Sequence, residues 1–193
     1  FFGCGGAGKA CLVSALKYFK NSKVFLINRS YGKIKNFLKK IKNINNNKII
    51  YINNFKKKQN NISKIDLLIN STSVGFDSWF KNKKFFNLKN YSPLSKISFK
   101  ETKVKSFTQF YKKNSQFIRE NNKLSNNYLK QKKSFKIFDI IYKPKTSILL
   151  KQGEYHGHKT VNGLNMNLMQ AVYAFKIVNN EKNITKIIKG MKN

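Results

Sequence analysis

Phe1-Phe2-Gly3-Cys4-Gly5-Gly6-Ala7-Gly8-Lys9-Ala10 opens the chain and decides how the rest is read. Closely spaced glycines running straight into a segment with helical apolar spacing are what a nucleotide pyrophosphate needs. They supply a tight turn, an approach free of side chains, and N–H groups left open at a helix N-terminus. Gly3, Gly5 and Gly6 read as G-x-G-G, with Gly8 offset from the last place of the G-x-G-x-x-G/A dinucleotide fingerprint. A glycine cluster ahead of a helix is also a common turn, so the following elements carry the argument.

Leu12, Ala15, Leu16 and Phe19 recur at helical spacing and predict a helix to about Tyr18, and Val24-Phe25-Leu26-Ile27 reads as a strand buried on both faces. Strand, glycine turn, helix, strand is a βαβ unit. Ile34, Phe37, Leu38 and Ile41 mark a second crossover helix, Lys48–Ile52 a third strand and Ile65–Ile69 a fourth. Past a long polar stretch, Ile137–Tyr142 reads as a strand ending at Lys143-Pro144, with a helix near Ser147 to Gln152. A short last strand is expected at Lys159–Gly163. Next comes a helix from near Asn165 with Leu168, Val172 and Phe175 on one face, and an amphipathic helix through Ile184, Ile187, Ile188 and Met191. This order predicts an α/β fold, a Rossmann-type doubly wound parallel sheet of about six strands.

At 193 residues one domain is expected. The net charge of +33 would ordinarily suggest nucleic acid or an anionic membrane surface. Yet of 40 basic residues only Arg29 and Arg119 are arginine, the residue whose planar fork reads phosphate. Lysine, asparagine, isoleucine, phenylalanine and tyrosine, all with AT-rich codons, are abundant, so genomic bias accounts for the charge better than a binding surface does. Against that bias all five alanines fall in two segments, and four of the ten glycines fall within the first eight positions. Both ends of the chain look specified.

Residues 79–134 are rich in lysine, asparagine and serine with scattered aromatics, and read as a low-complexity surface insertion, partly disordered. Single-stranded nucleic acid binding by this stretch is the weaker alternative. Cys4 and Cys11 read as reduced, small apolar residues. No metal site is expected, and the His156-Gly157-His158 pair reads as plain loop. No apolar run approaches membrane-spanning length and no signal peptide is visible, so a cytoplasmic or organelle location is the default. With only two residues ahead of Gly3, where a central strand takes about five, the N-terminus is expected to be a truncation.

Asn28-Arg29-Ser30 follows the second strand, where an NAD-binding domain places a carboxylate and an NADP-binding one a cation for the adenosine 2′-phosphate. Asn70-Ser71-Thr72-Ser73-Val74-Gly75 follows the fourth strand, at the carboxyl edge where open α/β sheets take their ligands. With Gly3–Ala7, Asp139-Ile140-Ile141-Tyr142-Lys143-Pro144 and Gly163-Leu164-Asn165-Met166-Asn167-Leu168-Met169-Gln170-Ala171, these motifs in this order resemble the C-terminal NADP-binding domain of the shikimate dehydrogenases. The resemblance covers the chain except the Lys/Asn-rich insertion. It implies that Gly5, Gly6 and Ala7 face the pyrophosphate, Asn28, Arg29 and Ser30 the 2′-phosphate, and Thr72, Gly163 and Met166 the nicotinamide. It also implies that Tyr142 and Gln170 lie near the substrate, shikimate or 3-dehydroshikimate.

Asn165 and Asn167 depart from the family's G-L-G-M-L pattern. The lysine and aspartate that carry proton transfer in the family belong to a substrate domain N-terminal to this one. No catalytic residue is therefore assigned here, and Tyr142 lacks a partner fixed by spacing that would lower its pKa. A quinate or other hydroxy-acid dehydrogenase is the enzymatic alternative. A decayed, non-enzymatic Rossmann module that binds nucleic acid is the other.

Overall fold

The computed structural model describes residues 1–53, 65–75, 78–80, 85–87, 90–98, 104, 106–130, 133–181 and 183–192. In chain order the main elements are α1 (Gly6–Tyr18), β1 (Lys23–Ile27), α2 (Lys35–Ile41), β2 (Lys48–Ile52) and β3 (Leu67–Asn70). Short strands β4 (Ser78–Phe80), β5 (Phe85–Asn87), β6 (Asn90–Ser92) and β7 (Ser95–Ser98) follow, pairing as two antiparallel hairpins. Then come α3 (Phe107–Leu129), β8 (Lys136–Asp139), α4 (Ile148–Tyr155), β9 (Lys159–Asn162), α5 (Leu164–Asn179) and α6 (Ile184–Lys192).

β1 pairs with β2, and β3 with β8 and β8 with β9, all parallel. Phe2 joins the two groups by bridging Ile27 on one side and Asn70 on the other, also in parallel. Its N–H donates to Ile69 O at 2.7 Å, its carbonyl accepts from Ser71 N at 2.8 Å, and Gly3 N donates to Ile27 O at 2.8 Å. The spatial order is β2, β1, the Phe2 segment, β3, β8, β9. Counting the Phe2 segment as strand one, this is the 3-2-1-4-5-6 order of a doubly wound dinucleotide fold, as expected.

Side chains alternate across such a sheet, and two core clusters divide accordingly. Leu26 packs with Cys4, Leu12, Leu16, Ile34 and Ile41, the layer of α1 and α2. Its neighbour Ile27 packs with Phe2, Ile52, Leu68, Leu129, Ile137 and Leu149, the layer of α3 and α4. Both faces of the sheet are covered, which is why its strands read as unbroken apolar runs.

Residues 107–129, expected within the low-complexity insertion, instead form the 23-residue helix α3. Parallel neighbours β3 and β8 require a crossover, and α3 supplies it. Its buried positions Phe110, Asn114, Ile118, Asn121, Ser125 and Leu129 recur every three or four residues, but half are polar, so the apolar period is hidden. Asn114 and Asn121 satisfy their amide donors on Phe110 O at 3.0 Å and Phe117 O at 2.7 Å, one turn back in the same helix. The rest of the residue 79–134 stretch lies partly outside the described residues.

Two smaller differences bear on the site. β8 ends at Asp139, earlier than expected, because Ile141 N turns aside to donate to Asp139 Oδ1 at 3.1 Å. On α5, Val172 is fully buried but Phe175 is exposed, so the expected Leu168, Val172, Phe175 stripe is not one buried face. Among the described residues, no helix is long and apolar enough to cross a membrane.

Candidate functional site

The sheet order reverses between the Phe2 segment and β1 on one side and β3 on the other, so the crevice at their carboxyl ends is where a ligand is expected. Two loops meet there: Gly3–Gly8 and Asn70–Gly75. Ser71 Oγ lies 2.8 Å from Phe2 O and 3.0 Å from Gly3 O and seals the first loop to the second.

The glycines of the first loop have different roles. Gly3 turns with φ +87, and a Cβ there would stand 2.7 Å from Thr72 Cγ2. A Cβ on Gly8 would stand 2.6 Å from Ser71 Oγ and 3.0 Å from Gly3 O, so this glycine lets α1 close onto the sheet edge. Gly5 and Gly6 meet nothing within 4 Å. Gly3, Gly5 and Gly8 thus fill the three places of G-x-G-x-x-G by turn, open approach and close packing. The expectation of an offset last glycine is corrected: counted from Gly3, Gly8 stands in the third place of the pattern, and its close approach to Ser71 is the reason a glycine is needed there.

The first turn of α1 has no side-chain cap and no acidic residue. Its open N–H groups and positive dipole end face the same space as Gly5 and Gly6, and that combination fits an anion such as a pyrophosphate. Ala7, next in the turn, is half-buried. Lys9 lies above the Phe37 ring at 5.3 Å. Burial pushes the Cys4 thiol up from its ordinary value, with the Lys9 charge pulling back, so Cys4 behaves as an apolar residue.

At the end of β1, Asn28 is tied down three ways. Its Oδ1 accepts from Cys4 N at 3.1 Å, its Nδ2 donates to Ser30 O at 2.9 Å, and its carbonyl accepts from Tyr51 Oη at 2.7 Å. Arg29 is exposed and Ser30 half-buried. Among the described residues no ion pair is formed by Arg29. An exposed guanidinium one residue past a clamped asparagine is well placed for a dianion.

On the other side of the crevice lies a buried polar network that the sequence did not announce. Asp139 is fully buried at the end of β8; Ser147 Oγ donates to its Oδ2 at 2.6 Å and Asn70 Nδ2 to its Oδ1 at 3.0 Å. Asn70 Oδ1 accepts from Thr72 N at 3.1 Å and Thr72 Oγ1 at 2.7 Å. The carboxylate thus fixes Thr72 through one intervening amide. Burial raises the Asp139 carboxyl above its ordinary value, and the bonds from Ser147, Ile141 and Asn70 pull it part of the way back. The signal in the sequence was a rare acid, one of seven, at the end of an apolar strand.

Gly163 joins the last loop to β8 so closely that an added Cβ would overlap the Ile140 carbonyl. Its N–H donates to Ile141 O at 3.2 Å, which sets the head of α5 beside the half-exposed Tyr142. Asn162 Oδ1 accepts from Leu164 N at 3.1 Å, across Gly163, the residue that starts the helix without a side-chain cap. Met166 contacts Cys11 of α1, Sγ to Sδ 3.7 Å, which ties the head of α5 to α1. Gln170 is exposed one turn farther along α5, on the Met166 face.

The expected residues at the strand ends, Asn28–Ser30, Thr72 and Gly163, therefore lie along the carboxyl edge but not in one cluster. Arg29 at the end of β1 and Gly163 at the end of β9 are four strand positions apart, about 19 Å at the usual strand spacing. A ligand touching both must be extended.

The histidines lie away from this edge. His158 is buried, its Nδ1 faces Phe135 N at 3.4 Å and its Nε2 faces Leu129 O at 2.8 Å. A backbone donor on one nitrogen and a backbone acceptor on the other fix the Nε2–H tautomer. His156 Nε2 bonds Asn126 Oδ1 at 2.9 Å. Both rings pin the turn after α4 to α3. Among the described residues no group of three or more His, Cys, Asp or Glu could hold a metal ion.

No family profile matches the chain. It is 29% identical over 175 residues to the shikimate dehydrogenase (NADP(+)) of Caldicellulosiruptor saccharolyticus, covering 91% of this chain and 47% of that protein. The enzyme of the same name from Methanococcus aeolicus is 25% identical over 185 residues, 96% of this chain and 51% of that protein. The chain thus spans about half the length of the curated relatives it matches. Among solved structures, a shikimate 5-dehydrogenase from Listeria monocytogenes, in complex with shikimate and NAD, superposes with TM-score 0.60 at 18% identity, over 100% of this chain and 54% of that one. A quinate dehydrogenase from Corynebacterium glutamicum in complex with NAD gives 0.58 at 15% identity, over 97% and 52%. At such identities these structures speak for the fold.

Proposed function

Because the chain belongs to the shikimate/quinate dehydrogenase family, we propose that it forms the NADP-binding half of a shikimate dehydrogenase. The reaction is the reversible NADPH-dependent reduction of 3-dehydroshikimate to shikimate. The observation that carries this reading is the open face of Gly5 and Gly6 at the uncapped start of α1, with the exposed Arg29, in no ion pair among the described residues, at the next strand end. A pyrophosphate fits the first feature and an adenosine 2′-phosphate the second.

On this reading Gly5, Gly6 and Ala7 hold the pyrophosphate, and Asn28, Arg29 and Ser30 form the 2′-phosphate corner. Thr72, Gly163 and Met166 border the nicotinamide. Tyr142 and Gln170 stand on the substrate side. NADPH, when bound, supplies the hydride. The chain's own work is to keep the nicotinamide end at a fixed depth, and the Asp139–Asn70–Thr72 network and the Gly163–Ile140 contact are suited to that.

Carbonyl reduction also needs a proton donor at the developing alkoxide. We assign that donor, and most contacts that separate shikimate from quinate, to a substrate domain outside this chain. Alone, the chain binds nucleotide and turns over poorly or not at all.

The test is a titration of the chain with NADPH and NADH, followed by nicotinamide fluorescence, beside an Arg29→Ala variant. Preference for NADPH that collapses in the variant is the expected result. Failure of a folded chain to bind either cofactor overturns the reading.

A further inference from the structure

The oxygen and nitrogen of the Asn28 side chain and its carbonyl each have a partner within the protein. Its side-chain oxygen takes Cys4 N, its amide donates to Ser30 O, and its carbonyl takes the Tyr51 hydroxyl at 2.7 Å. Asn28 therefore couples the glycine turn to the loop that carries Arg29. Tyr51 acts on the Asn28 main chain from another strand, and its backbone pairs with Leu26 in the neighbouring register of β2. The Tyr31 ring lies against Tyr51 at 4.8 Å between centroids, tilted 48°, and so holds both ends of the Asn28–Tyr31 segment to the same phenol.

We infer that Tyr51 is a positioning residue for the 2′-phosphate corner, fixing through the Asn28 carbonyl the direction in which Arg29 leaves the sheet. The inference rests on the nucleotide reading above. Without the hydroxyl, the peptide between Asn28 and Arg29 loses the side-chain tether it has among the described residues and can rotate. Arg29 then meets a 2′-phosphate from a spread of directions, which penalises a bidentate contact most. The pyrophosphate end is held separately, by Gly3 N on Ile27 O at 2.8 Å and by Ser71 on Phe2 and Gly3. Loss of the hydroxyl should therefore act on one end of the nucleotide only.

The experiment is calorimetric titration of wild-type chain and Tyr51→Phe with two fragments, 2′,5′-ADP and 5′-ADP, with the melting temperature of each protein recorded. A second variant, Tyr31→Leu, removes the ring contact and keeps the hydroxyl. In Tyr51→Phe, affinity for 2′,5′-ADP is expected to fall about five- to tenfold, the range of one net hydrogen bond, while affinity for 5′-ADP stays within about twofold. Tyr31→Leu is expected to lie between wild type and Tyr51→Phe. Equal loss for both fragments, or none for either, would overturn the inference while leaving the nucleotide reading intact. Wild-type protein that does not distinguish the two fragments would remove the 2′-phosphate reading itself and this inference with it.

Discussion

Replacing Asp139 separates the two things its carboxylate does, accepting hydrogen bonds and carrying charge in a buried place. In Asp139→Ala, Ser147 Oγ, Asn70 Nδ2 and Ile141 N lose an acceptor found at 2.6, 3.0 and 3.1 Å. Each buried donor left without a partner costs about 1–3 kcal/mol, and relief of the buried charge offsets part of the sum, so a net loss of about 3–5 kcal/mol is expected. That is a large share of the roughly 5–15 kcal/mol that holds a domain folded. Asp139→Asn keeps Oδ1 for Asn70 and Ile141, and its amide can donate to the Ser147 hydroxyl. It should cost no more than about 1 kcal/mol.

The pH dependence has a defined sign. The folded carboxyl is raised above its ordinary value of 3.8, so from that pH upward the native state binds more protons than the unfolded one. Wild-type stability is then lost, relative to Asp139→Asn, as pH rises from 3.8 through the raised value, and the comparison favours wild type most in acid. Urea unfolding of the three proteins followed by circular dichroism between pH 3 and 8 reads both effects. A loss below about 1 kcal/mol for Asp139→Ala, or wild type gaining on Asp139→Asn as pH rises, would refute the reasoning.

Gly8→Ala and Gly5→Ala should part company. The first pushes a Cβ to 2.6 Å from Ser71 Oγ and lowers the melting temperature, whereas the second enters open space, leaves stability nearly unchanged and weakens nucleotide binding in a titration. Gly163→Ala meets backbone at Ile140 and should be the most damaging glycine substitution of the three, to the point of lost soluble expression or a melting temperature lowered by many degrees. Ser125→Ala removes a buried hydroxyl that has no hydrogen-bond partner among the described residues, and urea unfolding should find it neutral or stabilised by up to about 1 kcal/mol.

The βαβ unit, the strand count and the turn were legible because each buried strand is a short apolar run and each loop at the carboxyl edge is rich in small residues. The crossover α3 was not, since Asn114, Asn121 and Ser125 occupy half its buried stripe and their helical back-bonds leave no trace in hydropathy. The third fingerprint glycine was legible, since Gly3, Gly5 and Gly8 match G-x-G-x-x-G by spacing alone; what spacing does not show is the separate job of each glycine. Only the neighbours a Cβ would meet distinguish an open glycine from a packed one. The polar network at Asp139 was visible as a motif but not as a device, because its partners Asn70 and Ser147 come from other loops, 69 and eight residues away.

These misses and successes share a cause. A chain drifting toward lysine, asparagine and isoleucine changes side chains, yet the candidate site is built mostly from main chain. Gly3, Gly5 and Gly8 act by having no side chain, Gly163 by letting two backbones touch, and the start of α1 by its bare N–H groups. The side chains that do take part, Asn28, Asn70, Ser71 and Asp139, work mainly on neighbouring backbone or on one another. Such a site is expected to tolerate drift on its surface, because on the proposed reading Arg29 is the exposed side chain that meets charge, while it forbids change at a handful of buried positions. Surface lysines can then accumulate to a net charge of +33 with no consequence for the crevice.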